Sequence, residues 1–139
     1  MRNKAALTLI ELSVMLAVFA LAAALCLRGF VWAEETARAC ETRDQALLQA
    51  QSAAEVLKSC GSDMEKAAAI FGGTCAAGIW SVSYNEQWEQ VDGTGTYRLT
   101  AEPRESGSPL LGMAAVRVLQ DGNCLVQLET AWQEVRGDG

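Results

Sequence analysis

The chain has 139 residues, 50% hydrophobic and 20% charged, with 11 basic against 17 acidic side chains and a formal charge of -6, which suits one small domain and little more. Lys and Arg are spread too thinly for a nucleic-acid surface, because phosphate binding needs them clustered. The absence of His excludes His-based triads and His-containing zinc sites, and none of the five Cys falls in a C-x-x-C pair, so the composition leans away from an enzyme.

The first six residues, MRNKAA, hold Arg2 and Lys4 and no acid, the charge signature of a segment kept on the cytoplasmic side of a membrane. The run from Leu7 to Leu27 is apolar apart from Thr8, Glu11 and Ser13, and Arg28 closes it. As a helix it spans roughly 30 Å, enough to cross a bilayer core. Three readings compete: a buried core helix, a cleaved secretory signal and an uncleaved anchor. A domain this small has nowhere to hide a helix that is apolar all round, which disfavours the first. Val31 and Ala33 offer a secretory cleavage site before Glu34. That reading leaves Glu11 unexplained, since a carboxylate at mid-bilayer costs on the order of 3 kcal/mol and marks a functional position by default. The plain alternative sets Glu11 in the headgroup region, where a first-turn position gains roughly 0.3–1 kcal/mol from the helix dipole.

Ala6-Leu7-Thr8-Leu9-Ile10-Glu11 followed by Leu12-Ser13-Val14-Met15-Leu16 resembles the cleavage and methylation motif of type IV prepilins and type II secretion pseudopilins. The resemblance covers about the first thirty residues. It implies that a membrane-embedded peptidase cuts between Ala6 and Leu7 on the cytoplasmic side and methylates the new amino terminus at Leu7. It also implies polymerisation through the apolar helix, with Glu11 facing the Leu7 ammonium of a neighbouring subunit. An unpaired carboxylate in an apolar bundle is expensive, so such a pair selects the axial stagger of neighbours. The presence of Glu11 favours a regular filament position over a tip position. Two departures from the family pattern are Ala6, where Gly is usual, and Arg28 beside Gly29, where many members carry a helix-loosening Pro. Gly29 is then the weak point of the helix.

From Ala33 to Cys60 the chain lacks Gly and Pro, with Ala46, Leu47, Ala50, Ala53, Ala54, Leu57 and Cys60 spaced for one helical face. This reads as the same helix continuing, polar from Glu34 to Asp44 and core-facing beyond, with Lys58 and Gly61 as stop signals. Ser62 with Glu65 reads as a capping box for a short helix over Asp63 to Phe71, ended by Gly72-Gly73. The period then changes to two: Trp80-Val82-Tyr84, Tyr97-Leu99-Ala101, Val116-Val118 and Val126-Leu128, with Asp121-Gly122 as a hairpin turn between the last pair. The expected fold is therefore α+β, a long amino-terminal helix whose first half spans the membrane, packed on a four-stranded antiparallel sheet. The resemblance implies the same pilin-like architecture. The expected divisions are a leader at 1–6, a membrane and filament-core helix at 7–30, and an extracytoplasmic head at 31–139.

Cys26 lies in the apolar run and reads as a small hydrophobe. Cys40, Cys60, Cys75 and Cys124 fall in the exported part, where disulfides are permitted. Cys40 and Cys60 sit roughly 30 Å apart on one helix and cannot pair, which leaves two complete connectivities. The preferred one contains a Cys60–Cys75 staple across the short second helix, with free thiols as the alternative. Glu86, Glu89 and Asp92 with Trp88 read as a solvated acidic loop rather than a Ca²⁺ site, since the alternating ligands and the Gly of such a loop are missing. No phosphate loop, nucleophile-base pair or dinucleotide fingerprint is present.

The expectation is thus a single-pass membrane protein with no cofactor, no metal and no enzymatic role, its head outside the cytoplasm, ending in a surface or periplasmic filament. Its expected partners are other pilin-like subunits, the processing peptidase and methyltransferase, a membrane assembly platform, and lipid before assembly. The competing expectation, from a different class, is a signal-anchored or secreted binding domain that does not polymerise.

Overall fold

The computed structural model describes residues 2–134; Met1, at the start of the expected leader, and residues 135–139, at the end of the expected head, lie outside the described residues. The chain divides into two compact units, Met1–Glu41 and Thr42–Gly139, and helix α1, Arg2–Cys60, contributes to both.

Within the first unit the side chains described from Asn3 to Ala39 are all exposed. The most apolar stretch of α1 is 0% buried, and the helix is long and apolar enough to cross a membrane. Its hydroxyls are satisfied inside the helix: Thr8 donates to the Lys4 carbonyl at 2.8 Å and Ser13 to the Leu9 carbonyl at 2.9 Å. Back-bonding of this kind lets a hydroxyl enter an apolar medium without an unpaired donor. The polar stretch that follows carries a Glu34–Arg38 ion pair at 2.7 Å, one turn apart, whose exposure limits it to a few tenths of a kcal/mol.

The second unit is an α+β head. Its helical layer comprises the rest of α1 and α2, Met64–Phe71. Six strands form its sheet: β1 Thr74–Ala76, β2 Ile79–Tyr84, β3 Gln90–Val91, β4 Tyr97–Arg104, β5 Leu111–Gln120 and β6 Asn123–Gln133. The order is β1-β2-β4-β5-β6 with β3 also on β2, and every pairing is antiparallel. The expected four strands are all present, and the count is corrected from four to six. The additions, β1 and β3, have three and two residues, too few to display an alternation, and become strands only by pairing with the outer edge of β2.

The core lies between α1 and the sheet. Ala46, Ala50, Ala53 and Leu57 are 0% exposed and share one core cluster with Trp80, Val82, Leu99, Val116 and Val118 of the sheet. Two of the predicted stops hold, with α1 ending at Cys60 before Gly61 and Gly72 capping α2. The N-cap of α2 is corrected: Asp63, not Ser62, accepts the Lys66 amide at 3.0 Å. Ser62 is turned into the left-handed region at φ 70° and so cannot adopt the extended cap conformation. The hairpin signal is realised, with Asp121 and Gly122 both left-handed at φ 49° and 83° between the paired Gln120 and Asn123, as a primed two-residue turn requires.

Candidate functional site

Ala6, Leu7 and Glu11 all lie in regular helix near the start of α1 with exposed side chains. Leu7 and Glu11 are four residues apart, which places them on one face, one turn from each other. Among the described residues Glu11 takes part in no ion pair. Around it Leu9, Ile10, Leu12, Met15 and Leu16 are each more than half exposed. A lone carboxylate is thus embedded in an apolar cylinder whose every side is available to lipid or to another helix. Among the described residues no cation pairs with it. In water this arrangement leaves a large apolar area uncovered, and in a bilayer or helix bundle the carboxylate needs a cation.

Arg28, the first charge after Glu11, lies on the same face of α1 as Trp32 and Glu35, with Leu27 and Val31 beside them. Gly29 is in unbroken helix with open space around it, so a side chain there meets no steric obstacle.

All five cysteines are free thiols in the structure. Cys26, Cys40 and Cys124 are exposed, whereas Cys60 and Cys75 are half-buried, both packed against the same core cluster. Cys60 ends α1, and Cys75 lines a shallow concavity with Ser62, Met64 and Pro103. The expected Cys60–Cys75 pair is thus present as two separate thiols that both touch the core cluster, and Cys40 shares α1 with Cys60.

The acidic loop has an internal structure that the sequence did not reveal. The Asn85 side-chain oxygen accepts the Gln87 and Glu89 amides at 3.0 and 2.9 Å, and its amide donates to Glu89 Oε2 at 3.0 Å. One of the three acids is therefore occupied in shaping the loop. Trp88, at φ 61°, is turned inward onto Tyr97 at a stacked centroid distance of 4.0 Å. Asn at the first loop position, which favours such side-chain turns, was the available local signal. Among the described residues no group of three or more potential metal ligands is gathered.

No protein-family model, curated protein or solved structure matches the chain.

Proposed function

We propose that this chain is a structural subunit of a pilin-like or pseudopilin filament, of the type IV pilus, type II secretion or DNA-uptake kind. A peptidase would process it between Ala6 and Leu7, Leu7 would be methylated, and the chain would polymerise through α1. The observation that carries this reading is one continuous helix whose exposed apolar first part holds a single unpaired acid, Glu11, and whose last part is built into an α+β head. Such a helix serves first as an anchor in lipid and then as the core of a bundle, because its apolar surface is sheltered in both places. Glu11 supplies the register by demanding a cation from a neighbour. Arg2 and Lys4 hold the leader on the cytoplasmic side and so direct the head outward; their removal leaves a mature chain with 9 basic against 17 acidic groups. The chain performs no catalysis in this reading. Its partners are other such subunits, the peptidase and methyltransferase, and the assembly platform.

Mass spectrometry of the protein recovered from membranes tests the reading. A mature chain beginning at methylated Leu7 is expected. A chain beginning at Glu34 identifies a secreted domain, and an intact Met1 identifies a plain anchored domain; either result removes the filament proposal.

A further inference from the structure

We propose that the two edges of the head sheet, neither of which carries a further strand among the described residues, pair with each other between copies of this chain, β6 of one copy against β3 and β1 of the next, so that the sheet continues from head to head. The choice of neighbour rests on the filament reading above, whereas the edges themselves belong to the fold.

The two edges differ in how they are protected. Natural proteins blunt an exposed edge by shortness, Lys, Pro or a bulge. On the β2 side the edge is a composite of two short strands, with Gln90 and Val91 opposite Tyr84 and Ser83, then Thr74 to Ala76 opposite Ser81 to Ile79. On the other side β6 is the longest strand, 11 residues, and among the described residues it pairs only with β5. Its sequence NCLVQLETAWQ has no Lys, Arg or Pro and one charge, Glu129. The register break opposite Val118 and Leu119 leaves only Leu125 unpaired, so Val126 to Gln133 form a regular edge.

The backbone of that edge has a definite direction. The Glu134 amide donates to the Leu110 carbonyl at 2.9 Å, which continues the register in which Gln133 faces Leu111. Antiparallel hydrogen-bonded pairs alternate along a strand, so Val126, Leu128, Thr130 and Trp132 bond to β5. The N–H and C=O groups of Gln127, Glu129, Ala131 and Gln133 then face away from β5. Those four side chains are exposed, and none of them blocks an incoming strand.

Strand direction selects the occupant. Two copies of β6 could pair antiparallel, but α1 follows β6: Tyr84 donates to Gln49 at one end of the sheet and Ser62 to Glu134 at the other. Such a pair would set the two head segments of α1 in opposite directions, against a polymer of parallel helices. The sheet path has five positions, all antiparallel, so its first and last strands run the same way. Joining β6 to β3 and β1 of a neighbour therefore keeps every head the same way up. Unlike surfaces of one molecule meeting head to tail give an open assembly wherever the rotation between copies does not close into a ring, and a filament is that open case. With β1 and β3 offering three and two residues, the contact is too small to hold free molecules together. It gains strength only where α1 already concentrates the heads.

The test places a photo-crosslinking benzoylphenylalanine at Ala131 in the full-length chain, in membranes of cells carrying the assembly machinery. Crosslinked dimers linking position 131 to residues 72–92 of a second copy are expected. Glu129→Pro, which removes an outward N–H only, and Ala131→Lys, which charges the edge, tested with the crosslinker moved to Gln133, should each lower the yield about tenfold while the circular dichroism of the chain is unchanged. Linkage to residues 123–133 of a second copy, linkage to a different protein, or a mature chain that begins at Leu7 without any linkage between heads overturns the proposal. Edge linkage in a chain that begins at Met1 or Glu34 instead upholds the pairing and removes the filament reading.

Discussion

The indole of Trp88 lies flat on the phenol ring of Tyr97, with centroids 4.0 Å apart and planes 9° from parallel. Tyr97 is the cross-strand partner of Tyr84, and Trp88 also meets Tyr84 at 5.8 Å in a tilted arrangement. The β2–β3 loop thus folds one aromatic ring down over the end of the core, and the Asn85 side chain fixes the loop that delivers it. A bulky residue at φ 61° carries backbone strain of order 1 kcal/mol, which the stacking and burial must exceed. Trp88→Ala should therefore destabilise the head by about 2 to 3 kcal/mol. Denaturant unfolding followed by circular dichroism measures it, and a loss under about 0.5 kcal/mol, as at an ordinary surface site, would show that the ring caps nothing.

Tyr84 gives the head an alkaline limit. It is 1% exposed, its hydroxyl donates to Gln49 Oε1 at 3.2 Å, and burial pushes its pKa up from 10.0 to about 12, partly opposed by Gln90. The folded state holds the phenol proton more tightly than the unfolded chain does. Its contribution is therefore fully present below pH 10 and is lost as pH rises from 10 towards 12. Tyr84→Phe should lose roughly 1 kcal/mol at neutral pH from the broken hydrogen bond and decline less steeply in alkali. Urea midpoints of both proteins across that range decide it, and parallel curves would remove Tyr84 as the cause.

How much of this was legible depends on distance along the chain. The Ala46 to Leu57 stripe and the Asp121-Gly122 turn were readable because each is written in local periodicity or turn chemistry. β1 and β3 were not, since three and two residues acquire their state from β2. Between the adjacent capping residues Ser62 and Asp63, the choice was decided by the turn out of α1, which left Ser62 left-handed. By sequence alone Trp88 belongs to a solvated loop, because its partners, Tyr84 and Tyr97, meet it only through the fold. At the candidate site Ala6, Leu7 and Glu11 stand out by residue type and spacing alone. Among the described residues Glu11 has no ion-pair partner, so neither local pattern nor fold supplies its cation, and the proposed filament assigns that role to a neighbouring copy.

Cys60 and Cys75 face the same core from α1 and β1. In protein recovered from an oxidising compartment they should be found joined, closing a loop that contains α2; Cys40 and Cys124, exposed and free in the structure, should stay thiols, in place of the second pair that a complete connectivity would require. A loop of that size stabilises by about 3 kcal/mol in the chain-entropy account. Alkylation in denaturant without reductant, followed by peptide mapping, should label Cys26, Cys40 and Cys124 and leave a Cys60–Cys75 linked peptide. Full labelling of Cys60 and Cys75 in protein from an oxidising compartment would remove the staple.

Glu11 carries the most consequential prediction. Its surroundings on α1 are apolar and exposed, and it has no ion-pair partner among the described residues. In a bundle of such helices the carboxylate meets either an ammonium or an unmet desolvation cost. In the proposed mature chain, cut after Ala6, the Leu7 ammonium of the same copy would be one turn away, but it would belong to the same helix and select no neighbour; only the ammonium of another copy would fix a stagger. Glu11→Ala removes the acid and leaves that ammonium unpaired in the bundle, a loss of about 3 to 5 kcal/mol per contact. Cleavage between Ala6 and Leu7 acts at a bond four residues away and should persist. The expected outcome is mature chain starting at methylated Leu7 that accumulates in the membrane and is depleted from sheared filaments by at least about tenfold, since 1.4 kcal/mol already shifts an equilibrium that far. Normal incorporation of Glu11→Ala would refute the pairing, whereas loss of cleavage would place Glu11 in peptidase recognition instead. Glu11→Gln separates charge from shape: it should fail in assembly as Glu11→Ala does if charge is the selector, and assemble normally if volume alone matters.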